Sequence, residues 1–187
     1  MDEIAIGEDI TLQEYYEQKL PQIFAAQIQE NPPTDLAGQE YRINYDIDGT
    51  RYGVIIRNGT QMEIVPGGLE NSHLSSSLNE NDWRDLVTGK ILVDDPIRKY
   101  NTLKHFNKIK NFKGLFKLCL SRNEGPDFLS STVFNGVDTP EVTIKAKVSD
   151  YSLIQTGKMN PQMAMMIGKV KFEGSTPFLM MLGTLNQ

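Results

Sequence analysis

The C-terminal stretch of residues 148–185 constrains the fold more than any other part of the chain. Near its start, Ser149-Asp150-Tyr151 predicts the beginning of a helix, because a Ser or Asp side-chain oxygen can accept hydrogen bonds from the backbone N–H groups that the first turn leaves unpaired. The motif Thr156-Gly157-Lys158 indicates the end of this helix, because glycine adopts the left-handed C-cap conformation and lysine suits the negative end of the helix dipole. Three segments follow: an apolar run over 163–167, strand-like alternation over 170–173 and a closing apolar segment over 178–182.

The chain also contains an internal repeat. Asp82–Lys90 and Asp150–Lys158 share an aspartate, an aromatic residue directly after it, an apolar residue three places later and Thr-Gly-Lys at identical spacing. Two organisations fit this pattern: one domain with a second, degenerate copy folded in, or two shortened copies packed on each other. We favour one domain, because a complete three-stranded meander is visible only once. The prediction is a single domain, 1–187, with a repeated strand-helix-Thr-Gly-Lys unit at 71–91 and 139–159 and an inserted basic segment at 92–120.

The ordered C-terminal motif resembles the sterol carrier protein 2 (SCP-2) family. It comprises, without a gap in their order, Thr156, Gly157, Lys158, Met159, Asn160, Pro161, Gln162, Ala164, Met165, Met166, Gly168, Lys169, Val170, Lys171, Phe172 and Gly174. The resemblance implies an α+β domain whose mostly antiparallel, twisted sheet is covered by helices around an apolar tunnel for a lipid. It covers the last third of the chain well and about 11–90 more loosely. The family pattern has one strand-helix-Thr-Gly-Lys unit, so this chain departs from it by carrying two.

The N-terminal half predicts one helix followed by a meander. Thr11 and Glu14 have the spacing of a capping box, and the apolar residues after them recur at helical intervals, with a break or kink near Pro21. Strict alternation over 41–48 predicts a strand with one buried face. The dipeptides Asp48-Gly49 and Asn58-Gly59 predict tight hairpins that connect it to strands over 52–56 and 62–65.

The middle of the chain is basic. Arg98–Lys117 contains seven Lys or Arg and no acidic residue. Its apolar residues are spaced by three, which rotates their stripe around a helix, so we expect two shorter elements instead of one long helix. Further strands are predicted over 115–120 and 128–134, and another contains Val142 and Ile144.

Composition limits the class of protein. The chain has 187 residues, a net charge of −5 and one cysteine, which cannot form an internal disulfide. The acidic N-terminus lacks a secretory signal, and no apolar run approaches the ~20 residues of a membrane span. We therefore expect a soluble, cytoplasmic protein. No nucleic-acid-binding motif accompanies the basic stretch, so a nucleic-acid partner is disfavoured, and the sequence does not determine the oligomeric state.

Residues typical of catalysis are sparse. His73 and His105 lack companions at metal-ligand spacing, and Ser75-Ser76-Ser77 lacks the turn that presents a nucleophile, so we interpret these serines as polar positions of a loop or strand end. The segment Asp46–Thr50 lacks the remaining ligands of a calcium loop and is better explained as a hairpin. Both Thr-Gly-Lys motifs invert the order of a phosphate loop. We predict no enzyme activity, no metal and no cofactor.

Methionine is concentrated near the C-terminus, where six of the eight methionines fall. Methionine adapts to irregular apolar shapes, so these residues form plain core or, as the resemblance implies, line a tunnel. Gln162 matches the family's Asn-Pro-Gln motif and supplies either a polar contact to the ligand or a hydrogen bond at a helix start. The candidate lipid-binding residues are Leu153, Met159, Gln162, Met163, Met165, Met166, Val170, Phe172, Phe178 and Met181.

The leading functional hypothesis is non-catalytic binding and transfer of a fatty acid, fatty acyl-CoA, sterol or similar lipid in an apolar tunnel. The alternative is a structural or protein-interaction module with a filled core and no ligand. Two interpretations of the basic stretch Arg98–Lys117 remain. It contacts an anionic membrane surface or the phosphates of an acyl-CoA, or its charges form an ordinary solvent-exposed face of elements whose other face packs against the protein.

Overall fold

The computed structural model describes residues 5–93 and 103–185, in which eight strands form a single sheet and helices pack against it. The strands are β1 Glu40–Ile47, β2 Thr50–Arg57, β3 Gln61–Pro66, β4 Leu74–Leu78, β5 Gly114–Ser121, β6 Phe128–Phe134, β7 Glu141–Lys147 and β8 Val170–Gly174. Helix α1 has three consecutive segments, Leu12–Glu14, a π-helical turn at Tyr15–Lys19, and Leu20–Glu30. The other helices are α2 Glu80–Val87, α3 Leu103–Asn111, α4 Val148–Gln155, α5 Pro161–Met166 and α6 Thr176–Thr184. The α+β prediction is therefore confirmed.

The sheet is mixed, and its strand order is β3-β2-β1-β4-β6-β5-β7-β8. Strand β1 runs parallel to β4, and β5 runs parallel to β7, while the other neighbouring pairs are antiparallel. The antiparallel pair β4 and β6 lies at the centre and joins the strands of the N-terminal half to those of the C-terminal half. We call this pair the central seam.

The predicted meander is present, and its turns have the geometry that their sequences favour. Asp48 and Gly49 have φ of 49° and 84°, and Asn58 and Gly59 have φ of 55° and 69°. Positive φ at both central residues is the requirement of a tight hairpin whose twist matches that of the strands. The carboxylate of Asp46 accepts from the Gly49 backbone N–H at 2.9 Å and from Arg51 at 2.7 Å. Asp46 therefore serves the hairpin, as predicted.

The repeated sequence has the same local structure in both copies. In each, a strand that runs parallel to an earlier strand is followed by a helix and then by Thr-Gly-Lys. The threonine hydroxyl donates to the backbone carbonyl four residues earlier, at 2.7 Å for Thr88 and 2.8 Å for Thr156. The glycine N–H then donates to the carbonyl three residues back, with φ of 77° at Gly89 and 70° at Gly157. Both motifs are helix C-caps, as predicted.

One large buried cluster joins helices from both ends of the chain to the sheet. It contains Tyr16, Leu20 and Phe24 of α1, Phe106 and Ile109 of α3, Phe178 of α6, and Ile43, Ile47, Leu74, Phe134 and Val142 of the strands. The predicted closing segment over 178–182 is thus part of helix α6, which begins after Ser175, whose hydroxyl accepts from the Phe178 N–H.

Two interpretations from sequence need refinement. Ser75–Ser77 lies in the middle of β4, a central strand of the sheet, and not at a strand end or in a loop. The break predicted near Pro21 takes the form of a π-helical turn that ends at Lys19, just before it.

The basic middle of the chain forms helix α3 and strand β5, which agrees with the prediction of two short elements. Residues 94–102 lie outside the described part.

Candidate functional site: an apolar cleft across the sheet

A partly open cleft with a volume of about 1740 Å³ lies against the sheet and is lined by residues of both halves. Its floor is contributed by strands on both sides of the central seam. The floor residues are Tyr45 of β1, Leu74, Ser76 and Leu78 of β4, Ser130, Thr132 and Phe134 of β6, Phe116 of β5, Ile144 of β7, and Val170 and Phe172 of β8. Since side chains two residues apart on a strand share a face, each strand presents one alternating set to the cleft.

The two copies of the repeat form equivalent walls of this cleft. Trp83 and Leu86 line it from α2, and Tyr151 and Ile154 line it from the matching positions of α4. Other walls come from α1, through Tyr15, Tyr16, Leu20 and Phe24, and from α6, through Leu179 and Leu182. The repeat therefore brings one aromatic and one aliphatic side chain per copy to the same space.

The lining is mainly apolar, with a small set of neutral polar groups. Among the described residues, Glu30 is the one charged residue in the lining. Hydroxyl and amide side chains supply the rest of the polarity: Gln27, Asn31, Ser76, Thr88, Ser130, Thr132, Gln155, Asn160, Gln162 and Thr184, together with the tyrosines. Ligand sites commonly combine mostly apolar walls with a few polar groups.

Four of the ten predicted ligand-binding residues line the cleft: Gln162, Met165, Val170 and Phe172. The other six, Leu153, Met159, Met163, Met166, Phe178 and Met181, are outside the lining. Phe178 is in the buried core instead, while Met166 is 88% exposed. Helix α5 is only six residues long and buries Ala164, so its methionines point in several directions. The backbone N–H of Gln162 donates to Asn160 Oδ1, which caps α5.

Sequence reasoning missed the contribution of the N-terminal half. Trp83, Ser76 and Thr132 all line the cleft, and none was predicted there. The repeat carried a usable signal for Trp83, because the equivalent aromatic residue, Tyr151, precedes the predicted C-terminal site. Nothing in the local pattern around Ser76 indicates a central strand, since three consecutive serines have low apolar content.

A buried ionic cluster fixes α2 against the C-terminal half. One amino group of Arg122 donates to Asp82 Oδ1 at 2.7 Å and to Asp85 Oδ2 at 2.8 Å. The other Asp82 oxygen accepts from the Leu129 backbone N–H at 2.9 Å and from Asn79 at 2.8 Å. Asp82 is the buried charged residue of the described part. Through these contacts, the helix that carries Trp83 is tied to β6.

His73 is a structural residue between β1 and α3. Its ring Nδ1 accepts from the Arg42 backbone N–H at 3.0 Å, and the His73 backbone N–H donates to the Arg42 carbonyl at 2.8 Å. Its ring packs against Tyr41 and Phe106. Burial lowers the pKa of His73, and the positive charges of Lys110 and Arg42 lower it further, while the charge of Glu40 and the backbone hydrogen bond with Arg42 act in the opposite direction. The neutral ring is therefore the form that the fold requires.

We expect the His73 environment to make stability pH-dependent. Because the folded pKa lies below the ordinary value, the unfolded chain takes up the proton first as the pH falls. The contribution is complete above the unfolded pKa of about 6.5 and is lost as the pH decreases below it toward the folded pKa. His73→Asn keeps an acceptor but cannot titrate in this range. Urea denaturation at about pH 7 and about pH 5 should show a smaller loss of stability for the variant than for the parent chain; equal losses would contradict this assignment.

The single cysteine has the properties of an unreactive thiol. Burial and the nearby carboxylate of Asp127 raise the pKa of Cys119, so the thiolate that a nucleophile requires is disfavoured.

The described part of the chain contains no group of three or more His, Cys, Asp or Glu side chains placed to hold a metal ion. Within residues 5–93 and 103–185, no helix combines the length and apolarity needed to cross a bilayer.

Several cations of the basic stretch contact the protein itself. Lys110 donates to the Gln39 side chain at 2.9 Å and lies 4.2 Å from the Phe106 ring centroid. Lys117 pairs with Glu141 at 2.8 Å, and Lys108 donates to the Thr184 carbonyl at the end of α6. These lysines stabilise packing between elements in addition to any role at the surface.

A family model matches the C-terminal part of the chain, where the sequence motif lies. Residues 97–187 match the model of the SCP-2 sterol transfer family, which confirms that resemblance. A similar solved structure is the solution structure of the sterol carrier protein domain 2 of Helicoverpa armigera, with 27% sequence identity and a TM-score of 0.36. The similarity covers 43% of this chain and 72% of that one. No curated protein matches the chain.

Proposed function

We propose that this chain, whose residues 97–187 match the SCP-2 sterol transfer family, binds a hydrophobic lipid in the cleft across the sheet and transfers it without catalysis. The observation that carries the proposal is the cleft itself, about 1740 Å³ in volume, with a mainly apolar lining. Sites for drug-sized ligands commonly occupy about 300–1,000 Å³, so this space accommodates a larger lipid. A tunnel, as implied by the resemblance, would form when a bound lipid is covered by the surrounding helices.

Burial of apolar surface supplies the affinity in this proposal. Each CH₂ group removed from water contributes about 0.8 kcal/mol, so a long acyl chain or a sterol skeleton gains enough to offset the cost of association. No reactive side chain is needed. Incubation with an acyl thioester tests whether the protein lacks catalytic activity, because protein-dependent hydrolysis would contradict transfer without catalysis.

The organisation of the cleft supports one functional unit. The lining includes residues of both repeated units, 71–91 and 139–159, together with α1 and α6. We therefore propose a single domain, 1–187, in which the two copies of the repeat build one lipid site.

An interaction module is the second candidate, because methionines are exposed at the C-terminal end. Met163 and Met166 of α5 are exposed, as is the neighbouring Ile167, and none of the three lines the cleft. Exposed apolar side chains that cluster mark contact surfaces in many proteins. Lipid extraction and native mass spectrometry of the purified chain distinguish the two candidates: a co-purified lipid supports the carrier, and a lipid-free protein with no affinity for added lipid supports the module.

Filling the cleft should weaken lipid binding. Ile144 lies on its floor, so we expect Ile144→Trp to reduce the affinity for a fluorescent fatty-acyl or sterol probe about tenfold or more, equivalent to about 1.4 kcal/mol. Leu129→Trp is the matched control, because Leu129 is 53% exposed and does not line the cleft. Circular dichroism checks that both variants fold. Equal affinities for both folded variants and the parent chain would place the ligand elsewhere.

Palmitoyl-CoA added as a second probe tests whether the basic stretch contributes phosphate contacts.

A further inference from the structure

The floor of the cleft carries a pair of hydroxyl groups at the central seam. Ser76 and Thr132 are directly paired in register, and their side-chain oxygens are 3.0 Å apart. Two hydroxyls that share one hydrogen bond leave one O–H group available to donate. Ser130 lines the cleft on the same face of β6. Apolar floor residues lie on both sides of this pair, so the polar group is at the middle of an otherwise apolar surface.

Trp83 also lines the cleft, and it carries a second, independent hydrogen-bond donor. Its side chain is 2% exposed, and its indole N–H has no hydrogen-bond partner within the described part of the chain. The rings of Tyr15 and Tyr16 pack against it with centroid distances of 5.5 and 6.4 Å, which holds its orientation. A buried donor without a partner is costly and rare in native proteins, so an acceptor on a ligand would relieve that cost.

The charge of the lining restricts what this acceptor can be. No lysine or arginine of the described residues lines the cleft, and Glu30 would repel an anion. An ionised carboxylate or phosphate buried without a cation is strongly unfavourable. A neutral oxygen that accepts hydrogen bonds has no such cost and matches donors such as the indole N–H and the spare hydroxyl.

We propose that the preferred ligand is a neutral lipid ester with an apolar arm on each side of its carbonyl, which accepts hydrogen bonds from Trp83 or the Ser76–Thr132 pair. This inference rests on the proposed lipid-binding function and specifies its ligand class. The arms extend over the floor toward both halves of the sheet. The N-terminal half, outside the family match at 97–187, thereby supplies Ser76 and Trp83 as selectivity-determining residues.

The test compares four probes on the full chain: cetyl palmitate, cetyl alcohol, palmitic acid and hexadecane. Trp83 is the sole tryptophan, so its emission reports binding at the cleft directly. We expect the ester to bind about tenfold or more tightly than palmitic acid. Ultraviolet resonance Raman spectra should show the indole N–H band shift toward a hydrogen-bonded form with the ester and not with hexadecane.

Variants then separate the hydroxyl pair from general effects on the sheet. The double substitution Ser76→Ala with Thr132→Val should weaken ester binding severalfold and leave hexadecane binding unchanged. The matched control is Ser77→Ala with Ser131→Ala, since these residues are also directly paired across the seam but are outside the cleft lining. Thermal melts establish that all variants fold.

The possible failures are distinguishable. If none of the four probes binds, the proposed lipid-binding function is wrong. If hexadecane, palmitic acid and the ester bind equally well, and neither the double variant nor the Raman band responds, the chain is a lipid carrier but the ester selectivity is wrong. If cetyl alcohol binds tightly and the other three probes do not, the proposed preference for an ester is wrong and the site prefers an alcohol.

Discussion

Replacing Arg122 by alanine should lower the free energy of unfolding by about 3 kcal/mol, because it leaves a buried carboxylate without its cation. The Arg122 side chain is 16% exposed and that of Asp82 is 2% exposed, so solvent screens their contact only weakly. Arg122 also pairs with Asp85 at 2.8 Å and donates to the Pro126 carbonyl at 2.8 Å. Its loss would therefore loosen both the attachment of α2 and the turn between β5 and β6.

Urea denaturation of a small set of variants tests this prediction. Lys145→Ala removes an exposed ion pair with Glu173, which solvent screens, so its stability should stay close to that of the parent chain. Combining Arg122→Ala with Asp82→Ala should cost less than the sum of the single substitutions, because the residues act as one unit. An Arg122→Ala variant as stable as Lys145→Ala would show that the cluster contributes little.

Phe178→Ala should destabilise the protein by about 3–5 kcal/mol, the range for loss of a large core side chain. Phe178 is 1% exposed, and its ring centroid lies 5.1 Å from that of Phe112 and 6.3 Å from that of Phe134. The ring also fits closely over Gly114, where an added Cβ atom would come within 2.5 Å of Phe178 Cζ. Alanine would leave a cavity at this contact and detach α6 from the sheet.

The same substitution should change how fast a lipid exchanges. Helix α6 also presents Leu179 and Leu182 to the cleft, so a loosely attached helix would uncover one of its walls. Stopped-flow displacement of a bound probe should show faster release from Phe178→Ala than from the parent chain. Met181→Ala is the control on the same helix, because Met181 is 46% exposed and outside the lining. Release at the parent rate from a destabilised Phe178→Ala would exclude α6 as the gate.

Features set by short-range hydrogen bonds were predictable from the sequence. The Thr-Gly-Lys caps, the Asp48-Gly49 hairpin and the capping box at Thr11 and Glu14 are each formed within four residues of the chain. In each case the residue type determines the local conformation, through a side-chain acceptor or a glycine with positive φ. The C-terminal family motif was equally visible, since its order is continuous.

The orientation of methionines and the pairing of the two halves were not predictable in this way. Composition shows that the C-terminus is rich in methionine, but packing decides that Met165 faces the cleft and Met166 faces solvent. Ser76 lies at the centre of the sheet because β4 pairs with β1 on one side and with β6 on the other. Such long-range contacts leave no periodic signal in a segment as short as β4.

The central seam also has a consequence for solubility. An unpaired strand edge is a template for association with other chains, and β4 and β6 would each present such an edge if their partners were removed. In the intact chain, β4 and β6 pair with each other, so neither has an open edge at the seam. The edge strands of the sheet are β3 and β8 instead. Lys171 and Glu173 on β8, and Glu63 on β3, place charges along those edge strands, which disfavours growth of the sheet into aggregates.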